Sequence, residues 1–160
     1  MTLYMDRRAF SWDYPLPLLD QHHRTRYTVT GDAYAPGKRL RVLDLSGRTA
    51  VSIRQRFPSL LPRYELEVYG KPVGALVKDL RCAPIQYTVE NLGWTLSGSV
   101  ARWDYALVRE QTPLALCRPS PDADGLLELS LPEGNSALSA LGVMVTVNCV
   151  LAFQVSSGRS

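Results

Sequence analysis

Residues 135–158 read Asn-Ser-Ala-Leu-Ser-Ala-Leu-Gly-Val-Met-Val-Thr-Val-Asn-Cys-Val-Leu-Ala-Phe-Gln-Val-Ser-Ser-Gly, and this apolar stretch decides the fold. The last charged residue before it is Glu133, and the next one along the chain is Arg159. Its core, residues 137–155, reaches the length of a membrane-spanning helix, about 17 to 25 residues. The stretch is therefore either a membrane anchor or a helix buried on every side within a soluble domain.

The residues inside and around the stretch favour burial over insertion. Four polar residues interrupt the apolar run: Ser139, Thr146, Asn148 and Gln154. Flanking positive charge is limited to Arg159, so the orientation signal for insertion is weak. A β-barrel of about ten or twelve strands is too wide to be filled by its own side chains and needs an apolar element in its lumen. We predict a central helix over residues 137–155, while the valines leave a terminal β-strand open for part of the segment.

The sequence before this stretch supplies the strands of such a barrel. Alternation is clearest where Tyr64, Leu66 and Val68 are interleaved with Glu65 and Glu67, the pattern of a strand with one wet face. Short strands at regular spacing predict an antiparallel sandwich or barrel rather than βαβ units. Ten runs are rich in β-branched and aromatic residues: 27–30, 40–45, 50–54, 64–69, 73–78, 86–90, 94–98, 105–109, 114–117 and 126–131.

Turn residues and a weak internal repeat agree with a closed sheet. Residues 51–68 match residues 75–90, and residues 4–12 echo the first half of this unit. Each full unit is a strand that ends in charge, a crossing that contains proline, and a strand that begins with tyrosine. Repeated hairpin units can build a sheet without exposed edges. Hairpin turns are predicted at Ser46-Gly47, at Gly70-Lys71-Pro72 and at Gln21-His22-His23-Arg24.

Composition and charge indicate one globular domain over residues 1–160. Hydrophobic residues make up 46% of the chain and charged residues 21%, which argues against disorder. Residues 1–110 hold 16 Lys/Arg against 11 Asp/Glu, a net charge of +5, whereas residues 111–160 hold 2 against 4, a net charge of −2. This basic body favours an anionic surface but lacks the dense basic stripe of a nucleic-acid binder, so we predict no nucleic-acid partner.

Cysteine usage and the N-terminal sequence predict a cytoplasmic protein. Cys82, Cys117 and Cys149 are odd in number, far apart and flanked by apolar residues, which favours buried reduced thiols over disulfides. The first eight residues lack the apolar core of a secretory signal.

Several strings, together with this architecture, resemble the LURF-one-related family, whose fold is similar to the Tubby C-terminal domain and to phospholipid scramblases. The most specific of them is residues 53–66, Ile-Arg-Gln-Arg-Phe-Pro-Ser-Leu-Leu-Pro-Arg-Tyr-Glu-Leu. The apolar C-terminal segment completes the order expected of the family, so the resemblance covers nearly the whole chain. The other matching strings are Ala9–Trp12, Leu40–Gly47, Gly93–Gly98 and Trp103–Tyr105.

The resemblance implies a closed antiparallel barrel of about 12 strands around a central hydrophobic C-terminal helix, a Tubby C-terminal-like fold. It implies little about activity, because most members of the family have no assigned reaction. Tubby domains bind phosphoinositide head groups through surface basic residues, and scramblase relatives act at membranes. No string here matches the Tubby lipid site residue by residue. Residues 113–125 depart from the family, since they have little of its basic and aromatic crossing.

Basic residues at equivalent places in the repeat are the candidate site. Arg54, Arg56, Lys78 and Arg81 could form a rim that holds the phosphates of a lipid head group, with arginine supplying forked donors. The alternative is that they only keep strand ends solvated, and the sequence alone favours it.

Other polar residues indicate turns rather than chemistry. Asp122, Asp124 and Glu128 are one acid short of a calcium loop, and a solvated turn explains them. His22 and His23 are adjacent, so in a strand they would point to opposite faces, and a polar hairpin turn explains them better than a metal site. No nucleophile elbow, phosphate-cradling glycine loop or HExxH motif is present. We therefore predict no enzyme activity, no cofactor and no metal.

Two functional hypotheses remain at this stage. The first is a non-enzymatic binding or scaffold domain for anionic phospholipid, cytoplasmic and peripheral at the membrane but not spanning it. The second is a soluble protein-interaction or regulatory module with an unidentified protein partner and no lipid contact. A hydrolase or transferase would gain support only from a polar pocket with convergent titratable groups.

Overall fold

A computed structural model describes residues 1–32 and 37–152 of the chain. These residues form a sheet of short strands followed by one helix. The strands are β1 Thr2–Asp6, β2 Leu16–Leu19, β3 Thr25–Asp32, β4 Arg39–Leu43, β5 Thr49–Gln55, β6 Arg63–Val68, β7 Lys71–Asp79, β8 Gln86–Glu90, β9 Trp94–Ser99, β10 Asp104–Arg109, β11 Thr112–Pro119 and β12 Leu126–Ser130.

The strands close into one antiparallel barrel, in which each strand pairs with its sequence neighbours and β1 pairs with β12. The closing pair runs in register from Thr2 opposite Ser130 to Asp6 opposite Leu126. Contact between β1 and β2 is narrow, with the single pair Tyr4 and Leu19. The predicted closed barrel of about twelve strands is confirmed, and the three predicted hairpin turns are the β2–β3, β4–β5 and β6–β7 connections.

Alternation along strands such as β6 separates the core from the solvent. On β6, Tyr64 and Leu66 are buried, whereas Glu65 and Glu67 lie on the outer face. Ile53 on β5 lies directly opposite Leu66 and is buried with it. Because side chains directly opposite each other in a sheet share a face, the apolar inner surface continues from β5 to β6.

The helix that fills this apolar lumen is α1, Ala137–Thr146, which continues as a π-helical turn over Val147–Leu151. Every residue from 139 to 152 is buried. The segment Gly134–Leu151 is long and apolar enough to cross a membrane, with a mean hydropathy of 1.5, but 72% of it is buried inside the protein. The predicted central helix is confirmed as far as Ala152, and its remaining residues, 153–155, lie outside the described residues.

The two ends of the barrel differ in their connections. Since all neighbouring strands are antiparallel, the connections after the odd-numbered strands share one end, and those after the even-numbered strands share the other. We call these the long-loop end and the hairpin end. The described connections of the long-loop end span residues 7–15, 37–38, 56–62, 80–85, 100–103 and 120–125. Those of the hairpin end span residues 20–24, 44–48, 69–70, 91–93, 110–111 and 131–136.

The position of the helix follows from this topology. The chain leaves β12 at the hairpin end, where α1 begins, and then runs back through the barrel. The side chain of Asn148, in the π-helical turn, contacts Met5 and Cys117 near the ends of β1 and β11. The last described residues of the helix therefore lie toward the long-loop end.

The β4–β5 hairpin is held by the carboxylate of Asp44. It accepts hydrogen bonds from Ser46 Oγ at 2.6 Å, from Tyr69 Oη at 2.8 Å and from two backbone amides, those of Ser46 and Arg48. These bonds, led by the one from Ser46, lower the pKa of Asp44 from 3.8 to about 2.

Acid is expected to loosen this hairpin. Because the pKa of Asp44 is lower in the folded state than in the unfolded state, its contribution to stability is present above about pH 3.8 and is lost as the pH falls through about 2. Thermal unfolding between pH 5 and pH 2 should therefore show a smaller loss of Tm in Asp44→Asn than in the parent. Equal losses over that range would contradict the assignment.

The cysteines agree only in part with the prediction of buried thiols. All three are free, and Cys117 and Cys149 are buried against the helix and the barrel wall. Burial raises the pKa of the Cys117 thiol to about 12 and that of Cys149 well above its usual range, so both are unreactive. Cys82 is instead half-exposed, because it lies in the β7–β8 connection rather than on a strand.

Candidate anion-binding surface

The four basic residues predicted from the repeat all lie at or near the long-loop end. Arg54 is the penultimate residue of β5, and Arg56 follows that strand. Lys78 is the penultimate residue of β7, and Arg81 lies in the β7–β8 connection. The barrel therefore brings them to one end, on two strands separated by β6.

Two of the four are already engaged by carboxylates. Arg56 Nη1 lies 2.7 Å from Glu65 Oε2, its neighbour on β6. Arg81 binds both carboxylate oxygens of Asp79, with Nε–Oδ1 and Nη2–Oδ2 distances of 3.0 Å. The guanidinium of Arg81 lowers the pKa of Asp79 to about 2, so this pair stays charged at neutral pH. Each of these two arginines therefore already has a carboxylate partner within the chain.

Arg54 and Lys78 occupy different faces of the sheet. Arg54 is exposed and lies opposite Glu65 on the outer face. Lys78 is half-buried and lies opposite Tyr87, which is buried. The repeat aligns residues 51–68 with residues 75–90 by residue type, and this alignment pairs outward positions of the first unit with inward positions of the second. The two residues that the repeat makes equivalent are therefore not equivalent in the barrel.

The neighbouring strand β4 adds two basic residues that sequence reasoning missed. Arg39 lies directly opposite Arg54, and Arg41 lies two residues further along the same outer face. Like charges placed directly opposite each other destabilise a sheet. The alternation Arg39-Leu40-Arg41-Val42, with buried Leu40 and Val42, was the available signal for a basic outer face.

We call Arg39, Arg41 and Arg54 the arginine cluster. Among the residues that the structure describes, no salt bridge reaches any of its members, although other surface arginines are paired. Asp32, on β3, lies opposite Arg39. Arg41 and Arg54 are exposed and Arg39 is half-exposed. The cluster therefore offers guanidinium groups from two adjacent strands, a suitable arrangement for the oxygens of a phosphate.

The remaining polar candidates lie in turns of the barrel surface. Asp124 pairs with Arg8 at 3.2 Å, and the backbone amide of Asp122 donates to Ser120 Oγ. His22 and His23 are exposed in the β2–β3 turn, where His23 has a positive φ of 62°. Within residues 1–32 and 37–152, no group of three His, Cys, Asp or Glu side chains is placed to hold a metal ion.

An open groove crosses the outer face of β6, β7 and β8. It has a volume of about 310 Å³ and is lined by Arg63, Glu65, Glu67 and Glu90 among others. Arg63 Nη2 lies 2.7 Å from Glu90 Oε1, and Glu65 is held by Arg56. Two of its three carboxylates are therefore committed to ion pairs on the protein's own surface.

The fold defines a class: a closed twelve-stranded antiparallel barrel around a buried C-terminal helix. The chain is similar in structure to the protein AT5G01750 of Arabidopsis thaliana, with a TM-score of 0.62 and 13% identity over 90% of this chain and 87% of that one. At this identity the likeness concerns the fold alone.

In sequence, the chain is 31% identical to the uncharacterised protein YxjI of Bacillus subtilis (strain 168) over 107 residues. The match covers 67% of this chain and 66% of YxjI, just under two thirds of that relative. No protein-family model matches the chain.

Proposed function

We propose that this protein is a LURF-one-related, non-enzymatic domain that binds anionic phospholipid head groups, phosphoinositides among them, through the arginine cluster. In this proposal it is a cytoplasmic protein that acts peripherally at the membrane. The family assignment is supported by the barrel, by the strings described above and by the similarity to AT5G01750. The proposed ligand is supported by the charge and geometry of the surface itself.

The observation that carries the proposal is the unpaired state of the arginine cluster. Arg39 and Arg54 face each other across two strands, and no salt bridge joins either of them to a carboxylate in residues 1–32 and 37–152. By contrast, Arg56, Arg63 and Arg81 each have such a partner. An added phosphate would relieve the repulsion between the cluster's guanidinium groups, and arginine's planar fork fits its oxygens. Lys78 and Arg81 then flank the site and do not form its centre.

The proposal is tested by co-sedimentation with vesicles of phosphatidylcholine alone or with added phosphatidylserine and phosphoinositide. We expect salt-sensitive binding to the anionic vesicles only. Each basic residue near an anionic surface contributes about 1 kcal/mol, so the double variant Arg39→Gln/Arg54→Gln should bind about 30-fold more weakly.

The matched control removes the same charge at the other end of the barrel. Arg24 and Arg48 both lie in hairpin-end connections, and Arg24→Gln/Arg48→Gln should bind anionic vesicles much as the parent does. Binding that is independent of salt or of anionic lipid, or an equal loss in both double variants, would overturn the proposal. If the parent binds no anionic vesicle, and both double variants still capture the same protein partner, a protein-interaction module is favoured instead.

A further inference from the structure

Exposed apolar side chains concentrate at the long-loop end. Nine large apolar side chains are exposed among the described residues, and Leu60 is the most exposed of them, at 96%. Three of the nine, Met1, Leu45 and Tyr69, are at the hairpin end, and Leu116 lies on β11. The five at the long-loop end are Tyr14, Phe57, Leu60, Leu80 and Ile85.

Four of these five belong to two adjacent loops. Phe57 and Leu60 are in the β5–β6 connection, and Leu80 and Ile85 are in the β7–β8 connection. The loops are tied at their bases, where the backbone amide of Lys78 donates to the carbonyl of Pro62 at 3.0 Å. They form a pair of neighbouring projections with apolar tips.

The charge of the two ends differs in sign. The connections of the long-loop end hold six Arg or Lys and three Asp, a net charge of +3. Those of the hairpin end hold two Arg and four Asp or Glu, a net charge of −2. Only the long-loop end therefore combines several exposed apolar side chains with a positive surface, which complements an anionic bilayer.

We propose that the long-loop end is a membrane-docking face, on which the β5–β6 and β7–β8 loops insert their apolar tips into the interface of an anionic bilayer. Phe57, Leu60, Leu80 and Ile85 enter the boundary between head groups and acyl chains. The basic residues around them stay at the level of the phosphates. Insertion of the loops presupposes the vesicle binding proposed above and adds an apolar anchor and an orientation to it.

Strand geometry allows the apolar loop tips and the arginine cluster to contact the same bilayer surface. Arg54 precedes Phe57 by three residues, which is about 10 Å of extended chain at most. The head-group layer of one leaflet is about 5 to 8 Å thick. With Phe57 at the lower boundary of that layer, Arg54 and its cross-strand neighbour Arg39 lie at or just above the phosphates. One docking orientation therefore satisfies both the loops and the arginine cluster.

The shape of the surface favours a bilayer over a protein partner. Its apolar groups sit on separate projecting loop tips interleaved with charged side chains, such as Arg56 beside Phe57 and Arg81 beside Leu80. A protein interface has a contiguous apolar core surrounded by a polar rim. A bilayer interface instead accepts isolated apolar side chains and takes up the neighbouring cations at its surface.

Insertion can be tested with tryptophan reporters in the full chain. Leu60→Trp places a reporter on the β5–β6 loop, and Leu45→Trp places a matched one on the hairpin end, where Leu45 is 72% exposed. Both variants keep the native tryptophans, so the difference between them reports the new side chain. On anionic vesicles containing lipids brominated along their acyl chains, we expect quenching and a blue shift for Leu60→Trp and neither for Leu45→Trp.

A second pair of variants measures the contribution to affinity. Leu60→Asp should weaken binding to anionic vesicles about tenfold or more, since it removes an inserted leucine and adds a negative charge. Leu45→Asp, which makes the same change at the hairpin end, should bind as the parent does. Both positions are exposed, so circular dichroism should show an unchanged fold.

The outcomes separate this proposal from the one it presupposes. If the parent binds anionic vesicles but the two reporters behave alike, or Leu60→Asp binds as Leu45→Asp does, loop insertion is wrong and head-group binding stands. If the parent binds no anionic vesicle, both are wrong. If Leu45→Trp is quenched and Leu60→Trp is not, the barrel docks through its other end.

Discussion

Replacing Gly142 with leucine is expected to prevent α1 from seating in the barrel and to send most of the protein into the insoluble fraction. Gly142 lies where the helix passes close to the barrel wall. A Cβ atom at this position would lie 2.7 Å from Val51 Cγ1 and 3.1 Å from Leu66 Cδ2. A contact below 3.0 Å forces a shift of the neighbouring atoms.

The surroundings of Gly142 leave little room for such a shift. Val51 and Leu66 are buried on β5 and β6, the strands against which α1 packs. Protein interiors are packed as densely as organic crystals, so added volume must move the helix or the wall. Overfilling a core typically costs about 1–3 kcal/mol and sometimes more, and a leucine here pushes against two β-strands at once.

The measurement is the soluble yield together with the midpoint of thermal unfolding. Ala137→Leu is the control, because Ala137 is in the first turn of the same helix and is only half-buried. Gly142→Ala should fall between them, since the gain in helix propensity over glycine, about 1 kcal/mol, opposes the contact with Val51. A soluble Gly142→Leu protein with the parent's midpoint would rule out the close packing of the central helix.

The barrel and its helix could be predicted because local patterns carry them. Polar and apolar residues alternate in strands such as β6, and the uncharged stretch before Arg159 matches an element with apolar walls on all sides. The ten predicted strand-forming runs do not include β1 and β2. The run Leu16-Pro-Leu-Leu contains a proline, and Thr2–Asp6 has a single β-branched residue, so neither has the composition of a strand. β1 is a strand because it pairs with β12 to close the barrel, and not because of its local β-propensity.

The candidate surface could be predicted only in outline, because its properties depend on register and on pairing. That Arg39 faces Arg54 follows from the β4–β5 pairing, in which a bulge shifts the register after Val42. Neutralisation of Arg56 by Glu65 likewise requires the β5–β6 register. A sequence shows which residues are basic, but it does not show which of them already have a partner.

The second large effect is expected at the buried polar contact between the helix and the wall. Asn148 Oδ1 accepts a hydrogen bond of 2.8 Å from Tyr105 Oη, and Asn148 Nδ2 lies 3.6 Å from Cys117 Sγ. Both Tyr105 and Asn148 are buried. Asn148→Leu keeps the number and branching of the side-chain heavy atoms but removes this acceptor. The Tyr105 hydroxyl then keeps a long contact of 3.5 Å to the carbonyl of Met144.

We expect Asn148→Leu to lower the free energy of unfolding by about 1–3 kcal/mol, the cost of a buried donor without a good acceptor. Urea unfolding of Asn148→Leu, Tyr105→Phe and the double variant provides the measurement. In the double variant both polar partners are gone, so its loss should be smaller than the sum of the two single losses. Additive losses would mean that the hydroxyl and the amide do not stabilise each other. Asn148→Leu also distinguishes a core helix from a membrane anchor. In a membrane anchor, replacing a lipid-facing asparagine with leucine favours insertion. In a core helix, replacing an asparagine that binds the barrel wall destabilises the fold.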